Sequence, residues 1–99
     1  MLIKPGSRVI MTGDSITDCG RHYPIGDSAD DTLGDGYVAL LDAMFAATRP
    51  DLNLRMLNTG VSGDTVRELA ARWTRDVLAL DPDWLSVMIG INDVWRQFD

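Results

Sequence analysis

Hydrophobic positions along this chain recur with two alternating spacings, that of a strand and that of a helix. Residues 8–12 form a short apolar, β-branched run that stops at Gly13 and predict a buried strand. Residues 18–36 show no periodicity, are rich in Gly and Asp and include Pro24. They predict a long loop with room for a helical turn, of the length that in compact domains is functional or mobile. Tyr37, Leu40, Leu41, Met44 and Phe45 follow the i, i+3, i+4, i+7, i+8 rule and predict an amphipathic helix. Asp35 is its expected N-cap, and Pro50 lies just past its end. Residues 52–57 alternate and predict a second strand ending near Asn58. Thr65-Val66-Arg67-Glu68 has the form of a capping box, in which Thr and Glu satisfy free N–H groups at a helix start. The helix it opens is predicted to carry Val66, Leu69, Ala70, Trp73, Val77 and Leu80 on one buried face. Asp81-Pro82 ends it, because proline disfavours a helical residue before it. Residues 84–89 predict a third strand, closed by Gly90.

Strands that alternate with helices imply parallel strands joined by right-handed crossovers. The expected fold class is α/β, a three-layer α/β/α arrangement of flavodoxin-like type, with strands buried on both faces. The 99 residues allow one small domain, with no internal repeat or low-complexity linker. A hydrophobic content of 45% is too rich for disorder. The net charge of −6, with scattered basic residues, repels phosphate backbones and anionic lipid. Nucleic acid and membrane are therefore not expected partners, and no apolar run approaches the ~20 residues of a membrane helix. Cys19 is the only cysteine, which rules out an internal disulfide and fits a reducing compartment. The N-terminus lacks the pattern of a secretion signal, so the expected location is cytoplasmic.

In open parallel sheets, ligands bind beyond the carboxyl ends of the strands. The segments following the three predicted strands are Gly13-Asp14-Ser15-Ile16-Thr17-Asp18, Asn58-Thr59-Gly60-Val61-Ser62-Gly63-Asp64-Thr65 and Gly90-Ile91-Asn92-Asp93. Each is small, polar and glycine-bearing, and the topology places all three on one edge of the sheet. Ester hydrolysis at a serine needs a nucleophile, a base and donors for the tetrahedral oxyanion. Ser15 sits at a strand-to-loop turn, where its hydroxyl can project from the sheet edge. Gly63 has no side chain, so a substrate oxygen can approach its N–H closely. Asn92 carries an amide that can point at the same spot, and with the Ser15 N–H these make a three-donor oxyanion hole. Asp14 is expected to hold the Ser15 loop by side-chain-to-backbone bonds, and Asp93 to serve structure.

Gly13-Asp14-Ser15, Ser62-Gly63-Asp64-Thr65 and Gly90-Ile91-Asn92-Asp93 resemble, in order, the first three sequence blocks of the SGNH (GDSL) hydrolases. The match spans nearly the whole chain. Within that family, residues 14–20 and 88–97 resemble the intracellular acetylxylan esterase group. The resemblance implies a serine ester hydrolase with Ser15 as nucleophile and Gly63 and Asn92 as oxyanion donors. It implies an acetyl ester of a xylo-oligosaccharide or similar sugar as substrate, no cofactor, and an enzyme that can be a homo-oligomer. The family's fourth motif, Asp-x-x-His, supplies the general base and the carboxylate that orients it, and it does not occur in residues 1–99. The expectation is that residues 1–99 are the N-terminal portion of a single hydrolase domain, inactive alone. With an exposed third-strand edge, they are expected to be prone to self-association.

His22 is the only histidine, matches no motif of the family and is read as a loop residue rather than a base. Asp27, Asp30 and Asp31 lack EF-hand spacing and are read as a solvated loop, so no metal is expected. Trp95 and Arg96, with Gln97, follow the third block. Trp95 is read either as a sugar-stacking ring or as packing, and Arg96 as a partner for sugar hydroxyls. Trp73 and Trp84 are read as packing residues, and Cys19 as a small loop residue. Two other classes compete. One is a non-catalytic carbohydrate-binding or assembly module. The other is a nucleotide-binding domain, disfavoured because neither Gly-x-Gly-x-x-Gly nor Gly-x-x-x-x-Gly-Lys follows the first strand.

Overall fold

The computed structural model describes residues 2–96; Gln97 lies outside the described residues. The first apolar run forms strand β1 (Arg8–Gly13), with Val9 and Met11 on one face, Ile10 and Thr12 on the other, and all four buried. A four-residue helix, α1 (Ser15–Asp18), follows at once. The long loop after it is more regular than predicted, with a two-residue strand β2 (Gly26–Asp27) and a 3-10 turn at Ser28–Asp30. Helix α2 (Tyr37–Thr48) leads through a 3-10 turn at Pro50–Leu52 to strand β3 (Arg55–Asn58). Next come α3 (Val66–Ala71), α4 (Trp73–Asp76) and a 3-10 turn at Leu78–Leu80. Strand β4 (Trp84–Met88) and helix α5 (Ile91–Arg96) follow. No helix among the described residues is long and apolar enough to cross a membrane.

The sheet order is β2-β3-β1-β4. β1 pairs in parallel with β3 and with β4, and β2 runs antiparallel to β3. Without β2, the parallel strands lie in the order second, first, third, which is how the flavodoxin-like order begins. Val9 pairs with Met56 and Ile10 with Leu57, so each pair shares a face. Val9, Met11 and Met56 pack with Leu33 and Val38 on the α2 side. On the other side, Leu69, Ala70 and Trp73 line a cleft with Val87, whose partner on β1 is Thr12. The three-layer α/β/α arrangement is as expected.

Local expectations change where tertiary contacts outweigh propensity. Helix α2 begins after Gly36 rather than Asp35, without a capping side chain. A Cβ at Gly36 would lie 2.7 Å from that of Cys19, so the close approach of α1 selects glycine there. On α2, Val38 is fully buried, whereas Leu40 and Met44, predicted inside, are 70% and 51% exposed. The second strand starts at Arg55 rather than Leu52, because Asn53 adopts φ 45° and interrupts the extended chain. Strand β4 is not buried on both faces, and Trp84, Leu85, Val87 and Met88 are exposed. Among the described residues it is an edge strand, paired only with β1. Among the described residues Trp84 is therefore not core packing.

The helix predicted as continuous over 66–80 breaks at Arg72, and Val66, predicted inside, is exposed. The Arg72 N–H bonds the Leu69 carbonyl, three residues back, at 3.2 Å. The break turns a buried guanidinium toward the sheet. Its Nε donates to Asp64 Oδ2 at 2.7 Å. Its Nη1 donates to the Thr59 carbonyl at 2.5 Å, to Asp76 Oδ2 at 3.0 Å and to Thr12 Oγ1 at 3.3 Å. Its Nη2 donates to the Gly13 carbonyl at 2.9 Å. One cation thus ties the end of β1 to the segment after β3. At the same end, a Cβ on Gly13 would fall 2.1 Å from the Met88 carbonyl, so only glycine lets β1 and β4 pair there.

Replacing Arg72 by methionine keeps most of the volume but leaves Asp64 buried without its cation and Asp76 with Arg75 alone. Breaking a buried pair from one side costs about 3–5 kcal/mol. The expected result for R72M is a large drop in the urea midpoint, read by circular dichroism.

Candidate active site

The fold delivers Ser15 to the surface at the end of β1. Asp14 is buried and caps α1, its Oδ1 accepting the Ile16 N–H at 3.1 Å. Ser15, the first residue of α1, stays exposed. Helix α1 is fixed from below by Asn58, which is fully buried. Asn58 Nδ2 donates to the Thr17 carbonyl at 2.7 Å and the Leu33 carbonyl at 2.9 Å, while its Oδ1 accepts the Gly60 N–H at 2.9 Å.

Gly63 lies in a tight turn. The Asp64 N–H bonds the Val61 carbonyl at 3.2 Å, and Gly63 has φ 86°. A positive φ at the third position marks a type II turn, which glycine adopts without strain. The Val61 N–H bonds the Gly13 carbonyl at 3.0 Å, stitching this turn to the strand that carries Ser15. The Ser62 N–H bonds Asp18 Oδ2 at 3.0 Å. Of the four N–H groups at 61–64, only that of Gly63 has no acceptor among the described residues.

The third segment closes on the same turn. Asn92 Nδ2 donates to the Asp64 carbonyl at 3.0 Å, which orients the amide and leaves its second N–H free of that bond. Arg96 Nη2 donates to the Gly63 carbonyl at 2.9 Å, so part of its guanidinium holds the turn. The Asp93 carboxylate accepts the Val66 N–H, at 3.1 Å to Oδ2 and 3.3 Å to Oδ1, at the start of α3. This bond ties α5 to the start of α3. Trp95 is 65% exposed, so its ring is not core packing among the described residues.

The long loop is anchored at several points. Buried Arg21 donates to the carbonyls of Gly60, His22 and Pro24 at 2.9, 3.1 and 2.6 Å, and lies 3.5 Å over the Tyr23 ring. Asp27 leaves the acidic cluster to make a bidentate pair with Arg55, at 2.6 and 3.2 Å. Among the described residues no three His, Cys, Asp or Glu side chains group as a metal site. His22 is exposed and its main-chain N–H bonds the Thr32 carbonyl; no hydrogen bond joins its ring to Ser15 among the described residues. Cys19 is free and exposed at the end of α1.

Asp18 is the hub of this region. Its Oδ2 accepts the Tyr23 hydroxyl at 2.5 Å, and the Ser62 N–H and Ser62 hydroxyl at 3.0 Å each. Burial pushes its carboxyl up, but these three donors and the Arg21 charge together outweigh that and hold it below the ordinary value. Burial likewise works against Asp76, and the Arg75 and Arg72 guanidinia overcome it, leaving a net lowering. The bidentate Arg55 bond is the largest cause of the lowering at Asp27.

Sequence reasoning missed Asp18, Arg21, Asn58, Asp64, Arg72 and Asp76. Arg72 and Asp76 carried one signal, an i, i+4 ion pair beside the predicted apolar face. Asp18 and Arg21 carried none, because most of their partners are distant in sequence or main-chain.

Ser15, the turn around Gly63 and the Asn92 amide thus come together at the end of a parallel sheet. A model of the GDSL-like lipase/acylhydrolase family matches residues 11–99, and the chain belongs to that family. Over 99 residues it is 54% identical to a protein named acetylxylan esterase from Geobacillus stearothermophilus, covering 100% of this chain and 45% of that one. The crystal structure of that organism's acetylxylan esterase Axe2 superimposes with a TM-score of 0.95 at 54% identity, over 100% of this chain and 45% of that chain. Other Axe2 structures are described as catalytic mutants, one of them S15A and two with a histidine or an aspartate replaced at positions beyond 99. LAE5, described as an alpha/beta hydrolase enzyme from the metagenome of Lake Arreo, Spain, is 50% identical with a TM-score of 0.85, over 97% of this chain and 44% of that one. The chain thus spans less than half the length of the relatives it matches.

The lowered carboxyls make stability depend on acid. Their folded values lie below the unfolded value of about 3.9, so the unfolded chain binds more protons in the window between the two. Their contribution is complete above the unfolded value and is lost as pH falls through the folded ones. The urea midpoint is expected to decline below about pH 4, with a shallower decline in D27N, which removes one of the three groups.

Proposed function

We propose that the protein is a serine esterase that deacetylates xylo-oligosaccharides or similar acetylated sugars through an acyl-enzyme on Ser15. The observation that carries this reading is the clamped turn at 61–64, whose one uncommitted N–H is that of Gly63, stitched to the strand end that exposes Ser15. The description of an S15A variant of a 52%-identical esterase as a catalytic mutant supports the assignment of Ser15.

In this mechanism Ser15 Oγ attacks the acetyl carbonyl and passes its proton to a general base. The Ser15 N–H, the Gly63 N–H and the Asn92 amide receive the developing oxyanion. Collapse expels the sugar oxygen, which takes a proton from the same base and leaves as the hydroxyl; water, giving a proton to that base, then releases acetate from Ser15. The base and its orienting carboxylate belong, in this reading, to the part of the relatives' length that the chain does not span. Residues 1–99 would then be the N-terminal portion of one hydrolase domain. The exposed Trp95 ring stacks on the sugar, and the remaining Arg96 donors bind its hydroxyls. The reading extends to a homo-oligomer, as the resemblance to the acetylxylan esterase group implies. It extends to a cytoplasmic location, supported by the free, exposed thiol of Cys19.

The test is labelling of the full-length gene product with a serine-directed phosphonate, followed by peptide mass spectrometry. The label is expected on Ser15 and absent from S15A; equal labelling of S15A would overturn the assignment. N92A is expected to lower kcat for an acetylated xylo-oligosaccharide by about 10²–10³, measured as acetate release.

A further inference from the structure

We infer that Asp18 is the positioning residue of the oxyanion turn: by holding Ser62 it sets the orientation of the Ser62–Gly63 peptide, and so the aim of the Gly63 N–H. This rests on the oxyanion role proposed above for Gly63.

The middle peptide of a four-residue turn is the one its closing hydrogen bond does not restrain. Type I and type II turns differ by a flip of that peptide. Here it joins Ser62, which is exposed, to Gly63, whose lack of a Cβ leaves both orientations open. Packing therefore does not choose between them, and the choice falls to the two flanking peptides. On the far side, the Gly63 carbonyl is held by Arg96 at 2.9 Å and the Asp64 N–H by Val61 at 3.2 Å. On the near side, the restraint on Ser62 is Asp18, which takes both its N–H and its hydroxyl on one oxygen at 3.0 Å each.

A single oxygen that receives these two donors and the Tyr23 hydroxyl needs its full negative charge, since charge-assisted bonds are about twice as strong as neutral ones. Asp18 is 5% exposed, so water does not replace these partners freely. It also ends the same four-residue helix that Ser15 begins. One rigid element thus carries the nucleophile at one end and aims an oxyanion donor from the other.

The experiment is D18N in the full-length gene product, a near-isosteric change that removes the charge. Complete loss of an oxyanion donor costs about 10²–10³, so a misdirected one is expected to lower kcat for an acetyl ester by about 10-fold or more, with KM held within about 2-fold. Y23F removes a donor from the same oxygen but leaves Ser62 held, and is expected to keep kcat within about 2-fold of the parent. The D18N crystal structure is expected to show the Ser62–Gly63 peptide turned or in two orientations. Unchanged kcat in folded D18N, or an equal loss in Y23F, overturns the inference. Should D18N not fold, S62A decides it: a fall in kcat at constant KM supports the role, and parental kcat overturns it. Absence of ester hydrolysis by the parent protein would defeat the proposed function. In that case the crystal structure still judges Asp18, and a single parental peptide orientation in D18N overturns its role.

Discussion

Two carboxylates, a hydroxyl and two main-chain carbonyls converge on the guanidinium of Arg72, and the arrangement of the sheet end follows from that convergence. Taking an arginine and two aspartates out of water costs several kcal/mol per ion, recovered only where geometry satisfies the donors. Here all three guanidinium nitrogens have acceptors, and the acceptors belong to β1, the segment after β3, and α4. The cation thereby fixes the separation of two strand ends whose loops form the candidate site. The break in the second helical region belongs to the same constraint. An unbroken helix over 66–80 would hold its apolar stripe in regular register, whereas the break after Ala71 lets Arg72 reach the strand ends.

From that frame the site is assembled almost wholly by main-chain groups held by side chains. Asp14 and Asn58 hold α1, Asp18 and Arg96 hold the turn around Gly63, and Asn92 reaches the same turn from α5. Such bonds leave few polar groups uncommitted, and the Gly63 N–H is one of them. A preorganised donor of this kind requires little reorganisation as charge develops on a reacting carbonyl. The same economy explains why so many acidic residues sit at this end of an acidic chain. Asp14, Asp18, Asp64 and Asp76 are buried and hydrogen-bonded, and they serve architecture rather than proton transfer.

Membership of the GDSL-like lipase/acylhydrolase family rests on residues 11–99, and the relatives are more than twice as long as this chain. The described residues carry the proposed nucleophile and oxyanion donors of an acyl-transfer site. Among the described residues β4 forms the edge of the sheet opposite β2.

The order of elements, the α/β class, the parallel pairing and the three polar segments at one sheet edge were all legible in the sequence. Each depends on local periodicity or on the handedness of crossovers, which a linear pattern carries. The positions of Ser15, Gly63 and Asn92 beyond the strand ends were legible for the same reason, since each follows a strand in a glycine-bearing segment. Among the described residues β4 is less covered than its apolar pattern implies, because an apolar strand reads alike whether or not neighbours cover it. The burial of Leu40 and Met44 was misread because the face of α2 that meets the sheet is set by Val38. Only the tertiary structure decided that Arg72, Asp18 and Asn58 hold the site. Their partners lie up to 60 residues away and are largely main-chain oxygens and amides, which every residue has and no sequence pattern marks.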